Sequence, residues 1–241
     1  MTFLSIVKTE WMKVQWGKLS PLLVLPAILS AVLSGGMIQA AVDQMWEAQW
    51  VQMVFTYSVW LYPMVAGVIA AWVCRYEHVG GGLKQFFTLP VSKWQLYWAK
   101  LVIVLFCSFL MQLAFGVSYV ANSLWQGAET VIPWSYFLWP LLIGWIAILP
   151  TIALQIFLSL RFESMGGSLA FLFCVTLPTI LIANSADYGP WYPWAQPFLA
   201  MMPKGDGGPF AVGYGPLFLI VGGSALVFAL VGTVYTQRRT A

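Results

Sequence analysis

Residues 101–121 read LVIVLFCSFLMQLAFGVSYVA, a run of 21 residues without Asp, Glu, Lys, Arg or His. A helix needs about 20 consecutive, mostly apolar residues to cross the hydrocarbon core of a bilayer. The run therefore predicts a membrane-spanning helix. Similar runs lie on both sides of it along the chain.

Six such runs, none with a charged residue or histidine, occur along the 241 residues: 19–42, 51–74, 101–121, 136–160, 166–183 and 216–235. The fifth run is the shortest and contains Gly166, Gly167 and Pro178. Its Leu, Ile, Phe and Val residues still contribute about −0.3 to −0.6 kcal/mol each to membrane insertion. We predict an all-α integral membrane protein with six transmembrane helices, forming one domain over residues 1–241.

Composition excludes a water-soluble domain. Charged residues make up 8% of the chain and hydrophobic residues 61%, whereas soluble domains carry about 25% charged residues. So few charges could not cover the surface of a soluble fold. The 14 tryptophans are typical of a bilayer protein, because amphipathic rings gather at membrane interfaces. A net charge of +3 is too small to indicate nucleic acid as a partner.

Charge placement predicts the orientation of the spans. With six spans and a cytoplasmic N-terminus, Lys204 falls outside and the other basic residues fall inside: Lys8, Lys13, Lys18, Arg75, Lys84, Lys93, Lys100, Arg161, Arg238 and Arg239. This bias follows the positive-inside rule. Deleting the fifth span would put Arg238 and Arg239 outside, so both termini are predicted to be cytoplasmic.

The N-terminal residues allow more than one interpretation. Thr2 to Trp16 place apolar side chains near one helical face, which predicts an amphipathic helix at the cytoplasmic interface. A solvated helical leader is the alternative. A signal peptide cleaved near Ala40 is disfavoured, because the first apolar run is longer than the usual 7–15 residues and follows a long segment.

The longest predicted cytoplasmic segment is RYEHVGGGLKQFFTLPVSKWQLYWAK, residues 75–100. The glycines at 80–82 and Pro90 break helical structure on either side of a short apolar helix. That helix would present Phe86 and Phe87 at the membrane surface. Exposed apolar side chains mark a contact surface, although the two rings could equally dip into lipid.

The last outer loop, residues 184–215, is rich in Pro, Gly, Trp and Tyr: NSADYGPWYPWAQPFLAMMPKGDGGPFAVGYG. Non-helical backbone at membrane depth must be buried in protein or line a watery cavity. The loop is therefore predicted to be partly re-entrant, or a lid on the outer ends of the spans. An aromatic belt at the outer interface is the alternative. Its candidate substrate-contacting or gating residues are Trp191, Tyr192 and Trp194.

The sequence shows no enzyme site. His78 is the single histidine, and beside Glu77 it cannot supply a metal-ligand set. Cys74, Cys107 and Cys174 have no metal-binding spacing and are interpreted as apolar packing residues. The chain has no P-loop, and its predicted spans lack the acids that carry ions in coupled transporters. A transporter of this kind needs energy from another protein.

The segment after the second span resembles a known family. TEWMK, residues 9–13, precedes the first span, and RYEHVGGGLKQFFTLPVSKWQLYWAKL follows the second. The second stretch is similar to ABC-2 type transporter permeases, which carry an acidic residue, a spacer, Lys-x-x-x-x-Leu-Pro-Val/Ile-Ser-Lys/Arg and then Lys-Leu. The branch with lantibiotic-immunity and bacitracin-resistance permeases is the one it resembles. The matching residues are Glu77, Lys84, Leu89, Pro90, Val91, Ser92, Lys93, Lys100 and Leu101.

The resemblance implies partners and a coupling site. Permeases of this family pair with a copy or a paralogue and bind two separate ATPase subunits, which hold ATP and magnesium. The cytoplasmic segment between spans 2 and 3 acts as a coupling helix in a groove of the ATPase. The coupling residues implied here are Glu77, Gly81, Lys84, Phe86, Phe87, Leu89 and Pro90. The run of glycines at 80–82 departs from many relatives and affects where that helix begins.

The predicted function is that of a permease subunit in an ATP-driven ABC exporter of a bacterial cytoplasmic membrane. Its cargo would be amphipathic or hydrophobic, such as an antimicrobial peptide or a lipid, because the spans carry no charge. The chain itself would be no enzyme and hold no cofactor. A non-transporting membrane scaffold or sensor is the alternative, followed by a transporter driven by an ion gradient.

Overall fold

The computed structural model describes residues 2–35, 42–75, 93–162, 164–185, 187–203 and 213–238, with only the backbone of residues 43, 93 and 238. These residues form helices and turns, and no β-strand occurs among them. The helices, in chain order, are α1 (Phe3–Lys13), α2 (Trp16–Ser34), α3 (Met45–Arg75), α4 (Lys93–Trp125), α5 (Trp134–Ala147), α6 (Leu149–Arg161), α7 (Met165–Thr176), α8 (Thr179–Ala183), α9 (Gln196–Met201) and α10 (Tyr214–Arg238).

Two of the long helices are irregular. Helix α3 changes from α-helical to π-helical geometry over Tyr57–Leu61 and then continues as an α-helix. Helices α5 and α6 are separated at Ile148 and together form one apolar stretch, Trp134–Arg161. Pro150 lacks a backbone N–H, which explains an interruption at this point.

Five helical stretches of the described chain are long and apolar enough to cross a membrane: α2, α3, α4, α5 with α6, and α10. They extend beyond most of the predicted ends. Helix α3 begins at Met45 rather than near residue 51, and α4 reaches from Lys93 to Trp125 rather than over 101–121. Hydropathy detects only the part of a helix that lipid surrounds, so its polar and aromatic ends escape detection.

The predicted fifth span, residues 166–183, is a broken helix. Helix α7 has 12 residues, which gives about 18 Å at 1.5 Å per residue and is shorter than the hydrocarbon core of a bilayer. Pro178 then separates α7 from the short helix α8, which begins at Thr179, because proline removes a helical hydrogen bond. Six full-length spanning helices are therefore not confirmed.

An aromatic seam joins α3 to α4 in the core. The rings of Trp50 and Tyr119 lie 5.0 Å apart, and those of Tyr57 and Phe115 lie 4.1 Å apart. Nearer the other end of the seam, Tyr62 Oη donates to the Ser108 carbonyl at 3.4 Å. Residue numbers rise along α3 as they fall along α4, so the two helices are antiparallel.

Helix α1 packs against the bundle through a face that is not purely apolar. Its buried residues are Ile6 and Glu10, while Leu4 and Met12 are exposed. Helix α1 ends at Lys13, and Trp16 already belongs to α2. The exposed apolar side chains are thus free for lipid, while the opposite face contacts protein.

Candidate functional site

The predicted coupling residues lie in the stretch 76–92, outside the described residues: Glu77, Gly81, Lys84, Phe86, Phe87, Leu89 and Pro90. The structure does describe both ends of this stretch. Helix α3 ends at Arg75, and α4 begins at Lys93. Two long membrane helices therefore lead directly into the predicted coupling segment.

A buried ion pair lies at the base of these two helices. The Lys100 ammonium is fully buried and donates to Glu10 Oε2 at 2.5 Å and to the Val73 carbonyl at 3.1 Å. Lys13, which is partly exposed, also donates to the Glu10 carboxylate. We call this group, Glu10, Lys13, Lys100 and the Val73 carbonyl, the ionic junction. It connects α1, α3 and α4.

The protonation state of Glu10 follows from this environment. Burial by itself raises the pKa of the carboxyl, but the ammonium groups of Lys100 and Lys13 outweigh it and hold the pKa below its ordinary value of 4.5. Glu10 is therefore ionised at neutral pH. A buried carboxylate is tolerated in protein when it is paired and hydrogen-bonded in this way.

The structure separates the three outer aromatic residues. Tyr192 and Trp194 lie together, with ring centroids 5.3 Å apart. Trp194 is buried at 4% exposure, whereas Trp191 is 69% exposed. The Tyr192 hydroxyl donates to the Val175 carbonyl of α7. Trp194 thus belongs to the protein interior, Tyr192 is partly buried, and Trp191 lies on the surface.

Trp191 and Tyr192 also line an open cavity of about 530 Å³ beside α8. Leu181 and Tyr188 on its rim are exposed. The lining is aromatic and aliphatic with Ser185 as a small polar group. Such a lining suits an apolar or amphipathic molecule.

Residues 193–202, here called the inserted segment, are buried between the helices. The Pro193 carbonyl accepts a hydrogen bond from Thr151 Oγ1 of α6 at 2.9 Å. The Met201 carbonyl accepts one from Trp50 Nε1 of α3 at 3.0 Å. The segment ends with α9 and therefore reaches into the bundle rather than covering its surface.

Met201 lies where α4 and α5 approach each other. Gln112 Nε2 is 3.5 Å from Met201 Sδ and donates to the Leu141 carbonyl at 3.0 Å. The Met201 side chain packs directly on Gly144. The missing side chain of this glycine makes room for the methionine.

Several buried polar atoms around the inserted segment have no hydrogen-bond partner within the described part of the chain. They are Gln112 Oε1, Trp194 Nε1 and Gln196 Oε1. An unsatisfied buried polar group costs about 1–3 kcal/mol unless water or a ligand reaches it. The surroundings of the segment therefore combine apolar packing with free polar atoms.

Candidate metal ligands are sparse in the part of the chain that the structure covers. No three His, Cys, Asp or Glu side chains cluster there in a way that could hold a metal ion. Cys74 and Cys107 are buried and Cys174 is exposed, all as free thiols. The ionic junction holds the one buried carboxylate–ammonium pair recorded in the described residues.

Reasoning from the sequence did not identify Glu10, Gln112, Gly144 or Met201 as functional candidates. A single acid in the apolar leader, within TEWMK, was the one available signal for Glu10. Lys100 was matched by resemblance, but its partner lies 90 residues away. Glycine and methionine in apolar runs give no signal of their own.

The chain matches a known protein family over most of its length. A family model described as "ABC-2 family transporter protein" matches residues 6–184. The match begins within α1, includes the stretch 76–92 and ends before the inserted segment. No curated protein and no solved structure matches the chain. Since the matched residues make up well over half of the chain, this multi-pass membrane protein belongs to the ABC-2 transporter family.

Proposed function

We propose that the chain is the membrane-spanning permease subunit of an ATP-driven ABC exporter, with ATP hydrolysed in a separate subunit. The family match over residues 6–184 carries the proposal. The sequence supports it, because the chain has no P-loop of its own and its predicted spans contain no ion-carrying acids. Energy for transport then comes from a partner.

The ATPase docks on the stretch 76–92 in this proposal, with Phe86 and Phe87 as its apolar anchors. Two observations support it: the resemblance of this stretch to the coupling segment of ABC-2 permeases, and the continuation of α3 and α4 to both of its ends. A movement of the stretch would then be carried directly into two long helices.

A pull-down from native membranes in mild detergent tests this proposal. A tagged wild-type chain is expected to retain a P-loop ATPase in stoichiometric amount. Phe86→Asp and Phe87→Asp should each lose most of it, because a carboxylate cannot enter an apolar groove without a large desolvation cost. Trp125→Asp is the matched control, since Trp125 is an exposed aromatic residue at the other end of α4.

Two results of this pull-down would contradict the proposal. A chain that is recovered alone, or with partners that bind no nucleotide, would favour the scaffold or sensor interpretation. If both Phe variants captured as much ATPase as the wild type, the stretch 76–92 would not be its docking site. A second, different permease in the eluate would show a heterodimer, and its absence would favour a homodimer.

The proposed cargo is an amphipathic or hydrophobic molecule, such as an antimicrobial peptide or a lipid. The cavity beside α8 and the unpartnered polar atoms around the inserted segment support it. The cavity lining is apolar with Ser185 and two tyrosines as hydrogen-bonding groups, and none of its lining residues is charged. Antimicrobial-peptide resistance and the lantibiotic-immunity branch belong to the same proposal.

In this scheme Trp191, Tyr192 and Trp194 form the outer gate. Exposed Trp191 would meet cargo, while Tyr192 and buried Trp194 would hold the inserted segment. Trp191→Ala is expected to reduce the resistance of cells to a panel of membrane-active peptides without lowering the unfolding temperature of the protein. The exposed Trp139 on α5 gives the control Trp139→Ala. Equal resistance in both variants would refute a role for Trp191 in the gate.

Six spans, a cytoplasmic N-terminus and an interfacial α1 complete the proposed arrangement in a bacterial cytoplasmic membrane. The broken helix α7–α8 would serve as the fifth span. Exposed Leu4 and Met12 on α1 support contact with lipid. A gradient-driven secondary transporter remains the less favoured alternative, and transport by the purified chain without ATPase would establish it.

A further inference from the structure

The ionic junction brings together three parts of the chain that are distant in sequence. Val73 lies two residues before the end of α3, and Lys100 lies in the second turn of α4. Glu10 comes from α1. The Lys100 ammonium contacts both of the others, at 3.1 Å and 2.5 Å. One buried side chain therefore touches α1 and the last turn of the helix that enters the stretch 76–92.

Packing alone would not require charges at this position. Replacing a buried ion pair by apolar side chains of similar size is often neutral or stabilising. An ion pair adds a directional constraint, because its hydrogen bonds form at only one relative placement of the helices. Apolar contacts tolerate sliding, whereas Glu10 Oε2 and the Val73 carbonyl fix the ammonium from two sides.

Apolar contacts support the same docking of α1. Ile6 is buried, and the Trp11 ring lies 5.0 Å from the Phe106 ring of α4. These two residues lie on either side of Glu10 in the sequence of α1. The junction is thus the polar centre of an otherwise apolar interface.

We propose that Glu10 is a positioning residue that fastens α1 to the bases of α3 and α4, and so fixes how the stretch 76–92 is presented to the ATPase. The contact of α1 with α3 and α4 involves this chain alone and can be tested without the ATPase. The presentation step rests on the proposed function.

The first experiment measures the fastening. Cys74, Cys107 and Cys174 are replaced by Ser, and Trp11→Cys with Phe106→Cys provides a pair for a short bifunctional maleimide. Glu10→Gln is expected to lower the yield of the cross-link more than about tenfold, because it leaves the Lys100 ammonium buried and without its carboxylate. The rings of Trp11 and Phe106 are absent from every protein compared, so the compared proteins differ only at the ionic junction.

Lys13→Met is the matched control. It removes the partly exposed cation and keeps the buried Lys100–Glu10 pair, so the yield should change less than about threefold, since solvent screens the Lys13 ammonium more than that of Lys100. Wild-type yield in Glu10→Gln would overturn the fastening.

The second experiment separates positioning from folding. The double variant Glu10→Leu/Lys100→Met leaves no unpaired buried charge at Lys100, so it should unfold near the wild-type temperature. It is nevertheless expected to capture severalfold less ATPase in the pull-down, because the directional contacts are gone. Wild-type capture in this double variant would overturn the presentation step.

A charge swap adds a rescue. Glu10→Lys/Lys100→Glu restores attraction but loses the hydrogen bond to the Val73 carbonyl, which a carboxylate cannot donate. Partial recovery of the cross-link, above either single variant, supports the proposal, and no recovery contradicts it. A wild-type chain that captures no ATPase would refute the proposed function and the presentation step, while the cross-link still decides the fastening.

Discussion

Gly144 shows how much of this protein depends on single small residues. A Cβ atom at this position would lie within 2.6 Å of Met201 Sδ and 2.8 Å of Gln112 Nε2. Met201 has little room to withdraw, because its side chain is fully buried and its carbonyl is held by Trp50. Gly144 therefore determines how far the inserted segment reaches into the helix bundle.

We expect Gly144→Ala to lower the free energy of unfolding by about 1–3 kcal/mol, the usual cost of overpacking a core. Thermal unfolding in detergent measures the change. Gly222→Ala is the control, since nothing lies within 4 Å of an added Cβ there. Combining Gly144→Ala with Met201→Ala should remove the clash with Met201 and recover part of the lost stability, with the approach to Gln112 Nε2 left. Equal unfolding temperatures for the Gly144 and Gly222 variants would contradict this account.

Acid should weaken the ionic junction in a defined direction. The pKa of Glu10 is held below 4.5 in the folded protein. A carboxyl with a depressed pKa contributes its full stability above the unfolded value and loses it as the pH falls through the folded value. The stability advantage of wild type over Glu10→Gln is therefore expected to stay constant from neutral pH down to 4.5 and to shrink below that.

Unfolding temperatures of the two proteins over this pH range give the measurement. Other carboxylates titrate in both proteins, so their effect cancels in the difference. An advantage that is constant through the acid range would mean that the ionised carboxylate is not what stabilises the docking of α1.

At the scale of elements, a tyrosine ties α4 to two neighbours. Tyr97 is fully buried, and its hydroxyl donates to the Ala153 carbonyl of α6 at 2.9 Å. Its ring also lies against Gly232 of α10, where an added Cβ would come within 2.6 Å of the ring carbon Cζ. A rigid ring cannot move aside as a flexible side chain does. The close approach of α10 to α4 thus requires glycine.

Gly232→Ala is expected to displace the Tyr97 ring and to destabilise the protein by about 1–3 kcal/mol. Gly223→Ala in the same helix is the matched control, because an added Cβ there meets nothing within 4 Å. That control should be neutral or slightly stabilising, since alanine favours helix by up to about 1 kcal/mol over glycine. Chemical unfolding of both variants tests the pair, and a neutral Gly232 variant would refute the contact.

At the scale of the whole molecule, the parity of the spans decides where the termini lie. The five long helical stretches alone would put the two ends on opposite sides of the membrane. A crossing by the broken helix α7–α8 makes six. The Tyr192 hydroxyl donates to the Val175 carbonyl, three residues before Pro178. A hydrogen bond to the backbone near the break helps this stretch lie within a bilayer.

We therefore expect tags at both termini to resist an added protease in cells whose outer envelope has been made permeable and whose cytoplasmic membrane is intact. Both tags should be digested once the membrane is opened with detergent. A tag inserted next to Lys204, in the predicted outer loop, is the control and should be digested while the cytoplasmic membrane is intact. Digestion of one terminal tag alone would show an odd number of crossings.

Sequence alone determined the class of the protein, the approximate positions of its long helices and the resemblance of residues 75–101 to a transporter family. These features are local. The apolar run at 101–121 predicts a membrane helix whatever surrounds it, because lipid contact depends on composition over about 20 residues. The ends of α3 and α4 were missed for the same reason, since polar and aromatic residues beyond the lipid carry no such signal.

Only the tertiary structure decided which residues meet. It paired Glu10 with Lys100, 90 residues apart, and Trp50 with Met201, 151 residues apart. It also placed Trp194 in the interior and Trp191 on the surface, although the two lie in the same aromatic run. Helices with similar apolar faces can pack in many ways, and the choice among them depends on fit and hydrogen bonds between distant residues, which no local pattern contains.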